Sequence, residues 1–376
     1  MDGFEQKLTA LREEIDDVDS QLVHLLAKRL TVTAKIGALK SQAGKPIYDR
    51  HREALLFKQR RQQAVTAGIS ADLIEDVLRR LIRDSYLSQD ASGYQCINPL
   101  CRKVVVIGGA GQLGKLFVDL FTRSAYQVET LEQGDWHNSD AILADASVVI
   151  VAVPIRLTVS IIQQLTNLPS DCILADITSV KESPLEEMLR VHQGPVVGLH
   201  PMFGPTATGL VKQTIIACQG RFPQEYQWLL DQFKVWGATI YPVAAKEHDQ
   251  AMSMVQVMRH FSTIAYGAHL MAENANITQL LEMSSPIYRL ELIMVGRLFA
   301  QDPMLYTDII FDNPDNVKMM KRFAYRFLEL LEHVEQGDKT QFMAMFEQVS
   351  TWFGDYADTF LQESKAMLLK ANELKS

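Results

Sequence analysis

The sequence lacks any long apolar run. No stretch of its 376 residues reaches the about eighteen consecutive apolar residues that a membrane-spanning helix needs. The first residues, MDGFEQKLTALREE, contain no apolar signal core. An excess of positive charge is also missing, because the net charge is −8, which argues against a surface for nucleic acid or anionic membranes. We therefore predict a cytoplasmic protein.

Cysteine is scarce. Its four copies, Cys96, Cys101, Cys172 and Cys218, form no CxxC pair and have no histidine at metal-ligand spacing. This pattern is typical of free thiols in a reducing compartment, and we assign no metal.

The first forty residues predict a long helix with a narrow apolar seam. Apolar residues recur from Leu8 to Leu39 at alternating steps of three and four, which suits pairing with another helix. Arg29 interrupts the seam, and burying its charge without a partner would cost on the order of several kcal/mol. Further helices are predicted over about 50–67 and 71–87.

The periodicity changes after residue 102. Seven short β-branched runs follow: KVVVIGG, YQVETLE, SVVIVAVP, DCILADIT, PVVGLHP, TIIACQG and ATIYPVA. Several are separated by amphipathic stretches such as QLGKLFVDLFTRSA, the alternation of a parallel sheet with crossover helices. Residues 246–376 are predicted to be nearly all helical, with DPMLYTD and DNPDN as breaks.

These patterns predict three domains, and the length suggests two or three. They are an all-α domain over 1–92, an α/β Rossmann-type dinucleotide-binding domain over 101–244, and an all-α domain over 245–376. The stretch DASGYQCINPL, with its Gly, Pro and polar residues, is the predicted linker between the first two.

The stretch GGAGQLG predicts a dinucleotide site. Gly109, Gly111 and Gly114 form G-x-G-x-x-G between a strand and a helix, where backbone amides and the helix N-terminus face a pyrophosphate. Glu132 ends the second strand, where its carboxylate can accept hydrogen bonds from both ribose hydroxyls. Because no Arg or Lys lies between Leu131 and Asp140, we predict NAD over NADP; a structural glycine turn is the alternative. Gln112 and Pro154 are also predicted to contact the cofactor.

Four side chains in the second half are candidates for chemistry: Ser179, His200, His248 and His260. An alcohol dehydrogenase needs a group that accepts the hydroxyl proton, and a neutral histidine titrates in the right range. His200 ends a predicted strand at the carboxyl edge of the sheet, where such folds bind substrates, although a structural role stays open. Arg289 and Arg297 stand in apolar sequence, so each needs a partner, either a protein carboxylate or an anionic substrate.

Together these motifs resemble prephenate dehydrogenase, through GGAGQLG, DITSVK, GLHPMFGP, EHDQ and SSPIYRLELIMVGRL in that order. The first segment resembles an all-helical chorismate mutase, through ALREEIDDVDSQLVHLLAKR, IGALK, YDRHRE and DSYLSQ. The pair in one chain resembles the bifunctional T-protein family of tyrosine biosynthesis over essentially all 376 residues. The first hundred residues would then make the substrate that the rest oxidises.

The resemblance implies a mutase site built from cations and neutral donors. Such a site holds a dicarboxylate in its reactive shape and needs no nucleophile. Arg29, Lys40 and Gln89 would be catalytic. The implied substrate-binding residues are Arg12, Asp49, Arg52, Glu53 and Ser85.

Helix geometry predicts that two chains share this site. Arg29 and Lys40, eleven residues apart, lie on one helix face, so their long side chains can converge. Arg12 lies roughly 25 Å from Arg29 along the helix, too far to reach the same small molecule. Arg12 must therefore come from a second chain, which predicts an intertwined homodimer, as the resemblance also implies.

For the second activity the resemblance implies oxidative decarboxylation of prephenate to 4-hydroxyphenylpyruvate, CO2 and NADH. His200 would take the proton of the ring hydroxyl, Ser179 would orient that hydroxyl and His200, and Arg297 would bind the ring carboxylate. Further substrate-binding or structural residues would be Arg289, His248, His260, Lys181 and Gln256. The resemblance also implies feedback inhibition by tyrosine, at or near the dehydrogenase site.

Three other functions stay open on sequence. Residues 1–90 could be a dimerising scaffold for an NAD-dependent cyclohexadienyl dehydrogenase, in which case Arg29→Leu should stabilise the dimer. The chain could instead be a dinucleotide-sensing binding protein, which leaves Ser179, His200 and Arg297 unexplained. The dehydrogenase substrate could also be arogenate, which differs from prephenate by one amino group.

Overall fold

The computed structural model of the protein describes residues 3–43, 45–46, 48–90, 93–204, 207 and 209–373, with the backbone alone at 41–42, 87–90, 370 and 372–373. The chain forms two compact units, one ending at Ala245 and the other beginning at Lys246. In the ranges described, no helix is long and apolar enough to cross a bilayer.

Three helices open the first unit, as predicted. They are α1 (Gly3–Gln42), α2 (Arg50–Thr66) and α3 (Ala71–Asp90). Asp49 begins α2 as its N-cap, because its carboxylate accepts a hydrogen bond from the Arg52 amide at 2.9 Å. Both α1 and α2 pack against α3, so α3 is the centre of this helical group.

The first half of α1 is exposed along its whole circumference. Every side chain from residue 9 to 25 is exposed to solvent in the single chain. The seam is included, since its residues Leu11, Ile15, Val18, Leu22 and Leu25 are between 50% and 63% exposed. An apolar stripe of this length marks a surface for another protein segment.

The seven predicted strands form one sheet in the order β2-β1-β3-β4-β5-β6-β7. They are β1 (Val104–Ile107), β2 (Val128–Leu131), β3 (Val148–Val151), β4 (Ile173–Asp176), β5 (Val196–Pro201), β6 (Thr214–Arg221) and β7 (Thr239–Val243). Every residue of β1, β3, β4 and β5 is buried, which explains their continuous apolar sequences. The helices of this layer are α4 (Gln112–Arg123), α5 (Ser139–Leu143), α6 (Ile155–Ile162), α7 (Glu182–Val191) and α8 (Pro223–Val235), with a 3-10 turn at Gln133–Asn138.

The predicted parallel sheet is confirmed except for one antiparallel pair, between β5 and β6. The strand β6 runs antiparallel to β5, with His200 opposite Ile216, whereas β6 and β7 are parallel to each other. No helix is described between Pro201 and Thr214, and a strand pair without a crossover helix is normally antiparallel. The helix α8 restores the parallel crossover between β6 and β7.

Aromatic side chains fill the core between the sheet and its helices. The rings of Phe121 and Trp236 meet edge to face at 4.8 Å, and the Trp236 indole donates to the Ser124 hydroxyl at 2.8 Å. The segment after α3 is tied to this core, because the Ile97 amide donates to the side chain of Gln232 at 2.9 Å.

The described part of the second unit is helical apart from short connections, as predicted. Its helices are α9 (Ala245–Met252), α10 (Arg259–Ala272), α11 (Ile277–Glu282), α12 (Pro286–Phe299), α13 (Pro303–Phe311), α14 (Asp315–Glu335), α15 (Lys339–Phe353) and α16 (Asp355–Glu373). DNPDN separates α13 from α14, as expected. DPMLYTD was expected to be a break but opens α13 instead, because the Asp302 carboxylate caps the helix by accepting from the Met304 amide at 2.9 Å.

A π-helical segment, Ser253–Met258, joins α9 to α10. In an uninterrupted α-helix, His248 and His260, twelve residues apart, would lie about 120° apart around the axis. A π-helix turns less per residue, so the segment rotates His260 back towards the face of His248. Both histidines are buried.

Candidate active sites

The backbone of the glycine loop packs so closely on its neighbours that a side chain would not fit at Gly109 or Gly114. Gly108 follows β1 with φ +81, and Gly111 is the N-cap of α4. A Cβ on Gly114 would lie 2.3 Å from the Gly108 carbonyl oxygen, and one on Gly109 would lie 2.4 Å from Thr130 Cγ2. Because only glycine fits at these positions, the backbone at the start of α4 can approach a phosphate group closely.

Gly108 also shapes the loop, although it lies outside the G-x-G-x-x-G motif. Its backbone lies in the left-handed region, and a Cβ there would also lie 2.7 Å from the Ala152 carbonyl oxygen. Its signal in the sequence was the doubled glycine directly after the apolar strand. Gln112 is the first residue of α4, and Pro154 is the N-cap of α6, after β3.

Glu132 connects the second strand to the glycine loop. It directly follows β2, and its carboxylate accepts a hydrogen bond from the Ala110 amide at 2.7 Å. The Asp135 carboxylate accepts from the Glu132 amide at 3.0 Å, which fixes the turn that carries both acids. The carboxylate and the tight loop fit the ribose and pyrophosphate of a dinucleotide without a 2′-phosphate.

Ser179 and His200 lie at the same edge of the sheet. β4 and β5 are parallel neighbours, so the residues at and beyond their carboxyl ends share this edge. His200 is the penultimate residue of β5 and is buried, whereas Ser179, three residues beyond β4, is half-buried. In sheets of this type the carboxyl edge is the side that binds ligands.

Lys181 lies beneath this edge in a buried ion pair. Both Lys181 and Asp176 are fully buried, and the ammonium group contacts Asp176 Oδ2 directly. The Thr178 hydroxyl donates to the same oxygen at 2.5 Å. Asp176 Oδ1 accepts no hydrogen bond from the described residues. Asp176 was not predicted as part of the site, because a single acid at the end of an apolar strand carries no pattern.

Gly198 lies across from this ion pair. It is the register partner of Asp176 in β5, and a Cβ there would sit 3.3 Å from Lys181 Cδ. The absence of a side chain at Gly198 therefore gives the lysine stem its space.

The second unit buries two of the candidate histidines in different surroundings. His248 Nδ1 lies 2.7 Å from Asp249 Oδ1, so this ring has an acidic partner. His260 packs edge to face on Tyr306 at 4.7 Å, and its Nδ1 has no hydrogen-bond partner among the described residues. Burial and the neighbouring Arg259 charge lower the pKa of His260 to about 4. His260 is therefore neutral at physiological pH.

The predicted anion-binding arginines lie on α12. Arg289 is half-buried in its first half, and Arg297 is exposed in its last turn. Gln256 lies in the π-helical segment.

The structure brings two of the predicted mutase residues together. The Arg29 guanidinium donates to the Ser85 hydroxyl at 3.0 Å and to the Leu81 carbonyl at 3.3 Å. Ser85 is buried, and burial lowers the pKa of Arg29 from its usual value. The cation that interrupts the seam of α1 is thus held by α3 in a fixed orientation.

Lys40, Asp49 and Glu53 form a second group where α1 ends and α2 begins. Burial lowers the pKa of Lys40, while the charges of Asp49 and Glu53 act in the opposite direction. Glu53 accepts a hydrogen bond from the Tyr86 hydroxyl and another from Lys212 Nζ at 2.7 Å. Tyr86 and Lys212 were not found from the sequence.

The remaining predicted mutase residues are not part of these groups. Arg12 and Arg52 are exposed in the single chain. Gln89 lies in α3, but its side chain is outside the described residues.

The fold and the glycine loop define a class of protein, an NAD-dependent dehydrogenase that carries a separate helical module at its N-terminus. Comparison with known families agrees with each part. Residues 11–90 match type II chorismate mutase, residues 118–220 match the nucleotide-binding domain of prephenate dehydrogenase, and residues 244–348 match its dimerization domain.

The chain belongs to the T-protein family. It is 52% identical to the T-protein of Enterobacter agglomerans over 98% of both chains, and 48% identical to that of Haemophilus influenzae over 99% of both. It is a bifunctional enzyme of tyrosine biosynthesis, with chorismate mutase and prephenate dehydrogenase activities and NAD as cofactor.

Solved structures share the dehydrogenase fold at low identity. Synechocystis arogenate dehydrogenase aligns at 18% identity with a TM-score of 0.52, over 68% of this chain and 99% of that one. Prephenate dehydrogenase from A. aeolicus, solved with hydroxyphenyl propionate and NAD+, aligns at 17% identity with a TM-score of 0.51, over 66% of this chain and 96% of that one. Both likenesses concern the fold alone.

Proposed function

We propose that Arg29 is the central residue of the chorismate mutase site and that His200 is the proton acceptor of the dehydrogenase. The observation that carries the mutase part is the Arg29 guanidinium of α1, which is fixed on the buried Ser85 of α3. The dehydrogenase part rests on His200, buried at the carboxyl edge of a sheet that carries the glycine loop.

The mutase step breaks a carbon–oxygen bond and forms a carbon–carbon bond within one molecule, so the protein needs only to hold and polarise chorismate. Arg29 and Lys40 bind the carboxylates and stabilise charge on the breaking ether oxygen. Gln89 assists at that oxygen, and Ser85 orients Arg29. Asp49, Arg52 and Glu53 contact the rest of the substrate.

Arg12 completes this site from a second copy of the chain. The exposed seam of α1 supports a homodimer, since residues 9–25 are exposed in the single chain. The match of residues 244–348 to a dimerization domain supports a second contact between the two copies. We propose domain boundaries at 1–92, 101–244 and 245–376.

In the dehydrogenase, bound NAD supplies the hydride acceptor. The glycines of the loop, Gln112 and Pro154 hold the dinucleotide, and Glu132 accepts from its ribose. His200 takes the proton of the ring hydroxyl, and Ser179 orients that hydroxyl. Arg297 binds the ring carboxylate, which leaves as CO2 as the ring becomes aromatic. Arg289, His248, His260, Lys181 and Gln256 bind the substrate or support those that do.

Two further proposals concern regulation and location. Tyrosine, which resembles the product, inhibits the dehydrogenase at or near its own site. The protein works in the cytoplasm, which its four free thiols support, since thiols persist in a reducing compartment.

A paired assay on the purified chain tests the assignment. Chorismate loss is followed without cofactor, and NADH formation is then followed after addition of NAD. We expect chorismate to disappear first and NADH to appear only in the second stage. Untouched chorismate together with NADH from supplied prephenate would reduce residues 1–90 to a scaffold. NADH from arogenate but not from prephenate would change the dehydrogenase substrate.

A further inference from the structure

Lys212 is a residue of the nucleotide-binding domain whose side chain reaches the helical domain. It lies in the region matched to the dehydrogenase, residues 118–220, and its Nζ lies 2.7 Å from Oε2 of Glu53, in the region matched to the mutase. The two residues are 159 positions apart in sequence. The contact therefore joins one catalytic domain to a residue assigned to the other.

The backbone presents Lys212 in a fixed orientation. Its φ is 63, in the left-handed region that a residue with a side chain rarely adopts. The turn is held on both sides, because the Lys212 amide donates to the Gly237 carbonyl at 3.1 Å and the Gln213 amide donates to Leu210 at 3.0 Å. A strained turn retained in this way holds the direction of its side chain.

The ammonium group lies in a small cage formed by a carboxylate and two aromatic rings. It is 5.2 Å from the ring centre of Tyr48 and 5.7 Å from that of Tyr86. The Tyr86 hydroxyl donates to the other oxygen of Glu53, so both carboxylate oxygens are engaged. The Glu53 side chain is only 12% exposed, compared with 42% for Lys212.

This arrangement addresses an electrostatic problem in the mutase. Glu53 belongs to a pocket for a substrate with two carboxylates, and a second anion there repels it. The Glu53 charge also raises the pKa of Lys40, against the lowering that burial causes. A cation on the outer side of Glu53 keeps the carboxylate in place and offsets its charge.

We propose that Lys212 is a positioning residue for the chorismate mutase, supplied by the dehydrogenase domain, which holds Glu53 and offsets its charge towards the dianionic substrate. This proposal rests on the assignment of Glu53 to the mutase pocket. The mutase of the full chain is thereby tuned by a residue outside its own three helices.

Kinetics of Lys212→Met in the full-length enzyme test the proposal. We expect the KM for chorismate to rise roughly fivefold to tenfold with kcat within about twofold, because Lys212 acts on binding through charge. Lys212→Arg keeps the cation and should restore KM to within about twofold. NADH formation from prephenate should not change, since Lys212 has no assigned role in that step.

Lys234→Met is the matched control. Lys234 has a similar exposure, 44%, and its ion pair with Asp231 at 2.9 Å lies within one helix of the same domain. The control should leave both activities unchanged. In a Glu53→Gln background, Lys212→Met should add little further change in KM, because the two residues act as one unit.

Several outcomes would overturn the proposal. They are an unchanged chorismate KM in Lys212→Met, an equal effect of that substitution with and without Glu53, and a joint loss of both activities that Lys212→Arg does not restore. These results differ from failure of the proposed function, in which the unsubstituted enzyme itself does not consume chorismate.

Discussion

His200, His248 and His260 are all buried, but their rings have different neighbours. His200 lies at the ligand-binding edge of the sheet, and His248 has Asp249 as an acidic neighbour. His260 instead packs on Tyr306, where protonation would place an uncompensated charge in an apolar site. We propose His200, at the carboxyl edge of the sheet, as the residue that exchanges a proton during turnover.

The first prediction separates turnover from binding. His200→Asn should lower the kcat for prephenate oxidation by at least about 100-fold, because the proton acceptor is lost. Its Kd for prephenate should stay within a few-fold of the original. Arg297→Gln should mainly weaken prephenate binding. Steady-state kinetics with equilibrium binding measure both, and unchanged values in either variant would remove that residue's role.

The second prediction concerns acid stability. Because the pKa of His260 is lowered to about 4 in the folded protein, only the unfolded chain takes up this proton between about pH 6.5 and pH 4. Protonation therefore favours unfolding, and stability falls as the pH drops through that window. His260 should contribute a loss of roughly 2 kcal/mol at pH 5 relative to pH 7.

Calorimetric Tm values at both pH values test this loss. His260→Gln does not titrate, so its Tm should fall less between pH 7 and pH 5 than that of the original enzyme. Equal pH-dependent losses in the two proteins would show that His260 is not the group responsible.

Residues whose role depends on local sequence could be predicted, and residues whose role depends on distant contacts could not. The glycines and Glu132 follow from a strand, a turn and a helix within thirty residues. The contact between Glu53 and Lys212 spans 159 positions, and no local pattern encodes it. Asp176 was missed for another reason: its partner Lys181 is only five residues away, but a single acid at the end of an apolar strand carries no pattern, and the pair becomes evident only when both are buried.

Among the elements, the strands and long helices were predictable because their apolar periodicity is strong. The direction of β6 was not predictable, since a β-branched run looks the same in a parallel and an antiparallel strand. Only the missing crossover helix distinguishes the two directions. The π-helical segment, SMVQVM, also gave no signal, because its composition suits an ordinary α-helix.

The glycine loop supplies a prediction about elements. Gly114→Ala would bring a methyl group within 2.3 Å of the Gly108 carbonyl oxygen, so α4 must move away from β1. We expect the Kd for NAD to rise by at least tenfold while the chorismate mutase rate stays within twofold. NAD titration and the mutase assay measure the two effects.

Gly134→Ala is the control for this substitution. Gly134 lies close by in the 3-10 turn, and a Cβ there would meet nothing within 4 Å. The control should bind NAD normally. Similar NAD affinities for the two variants would contradict the role given to the tight loop.

At the scale of the whole molecule, two copies should share each mutase site. Arg12→Gln and Arg29→Gln should each abolish chorismate turnover when expressed alone. Co-expression should restore about a quarter of the original rate, because half of the dimers are mixed and one of their two sites has both arginines.

NADH formation from prephenate should remain normal in every one of these preparations and serves as the control for folding. Co-expressed variants that remain inactive would place Arg12 and Arg29 in the site of a single chain, and an active Arg12→Gln enzyme would place Arg12 outside the site.

The exposure of α1 between residues 9 and 25 should make the first reaction sensitive to the amount of enzyme present, because the proposed mutase site takes Arg12 from a second copy. With its seam covered by a second copy, a complete mutase site exists only above the dissociation constant of that pairing, by mass action. Below it, the number of complete sites grows with the square of the chain concentration. Dilution should therefore reduce chorismate turnover per chain, and substrate or a high enzyme level should protect it.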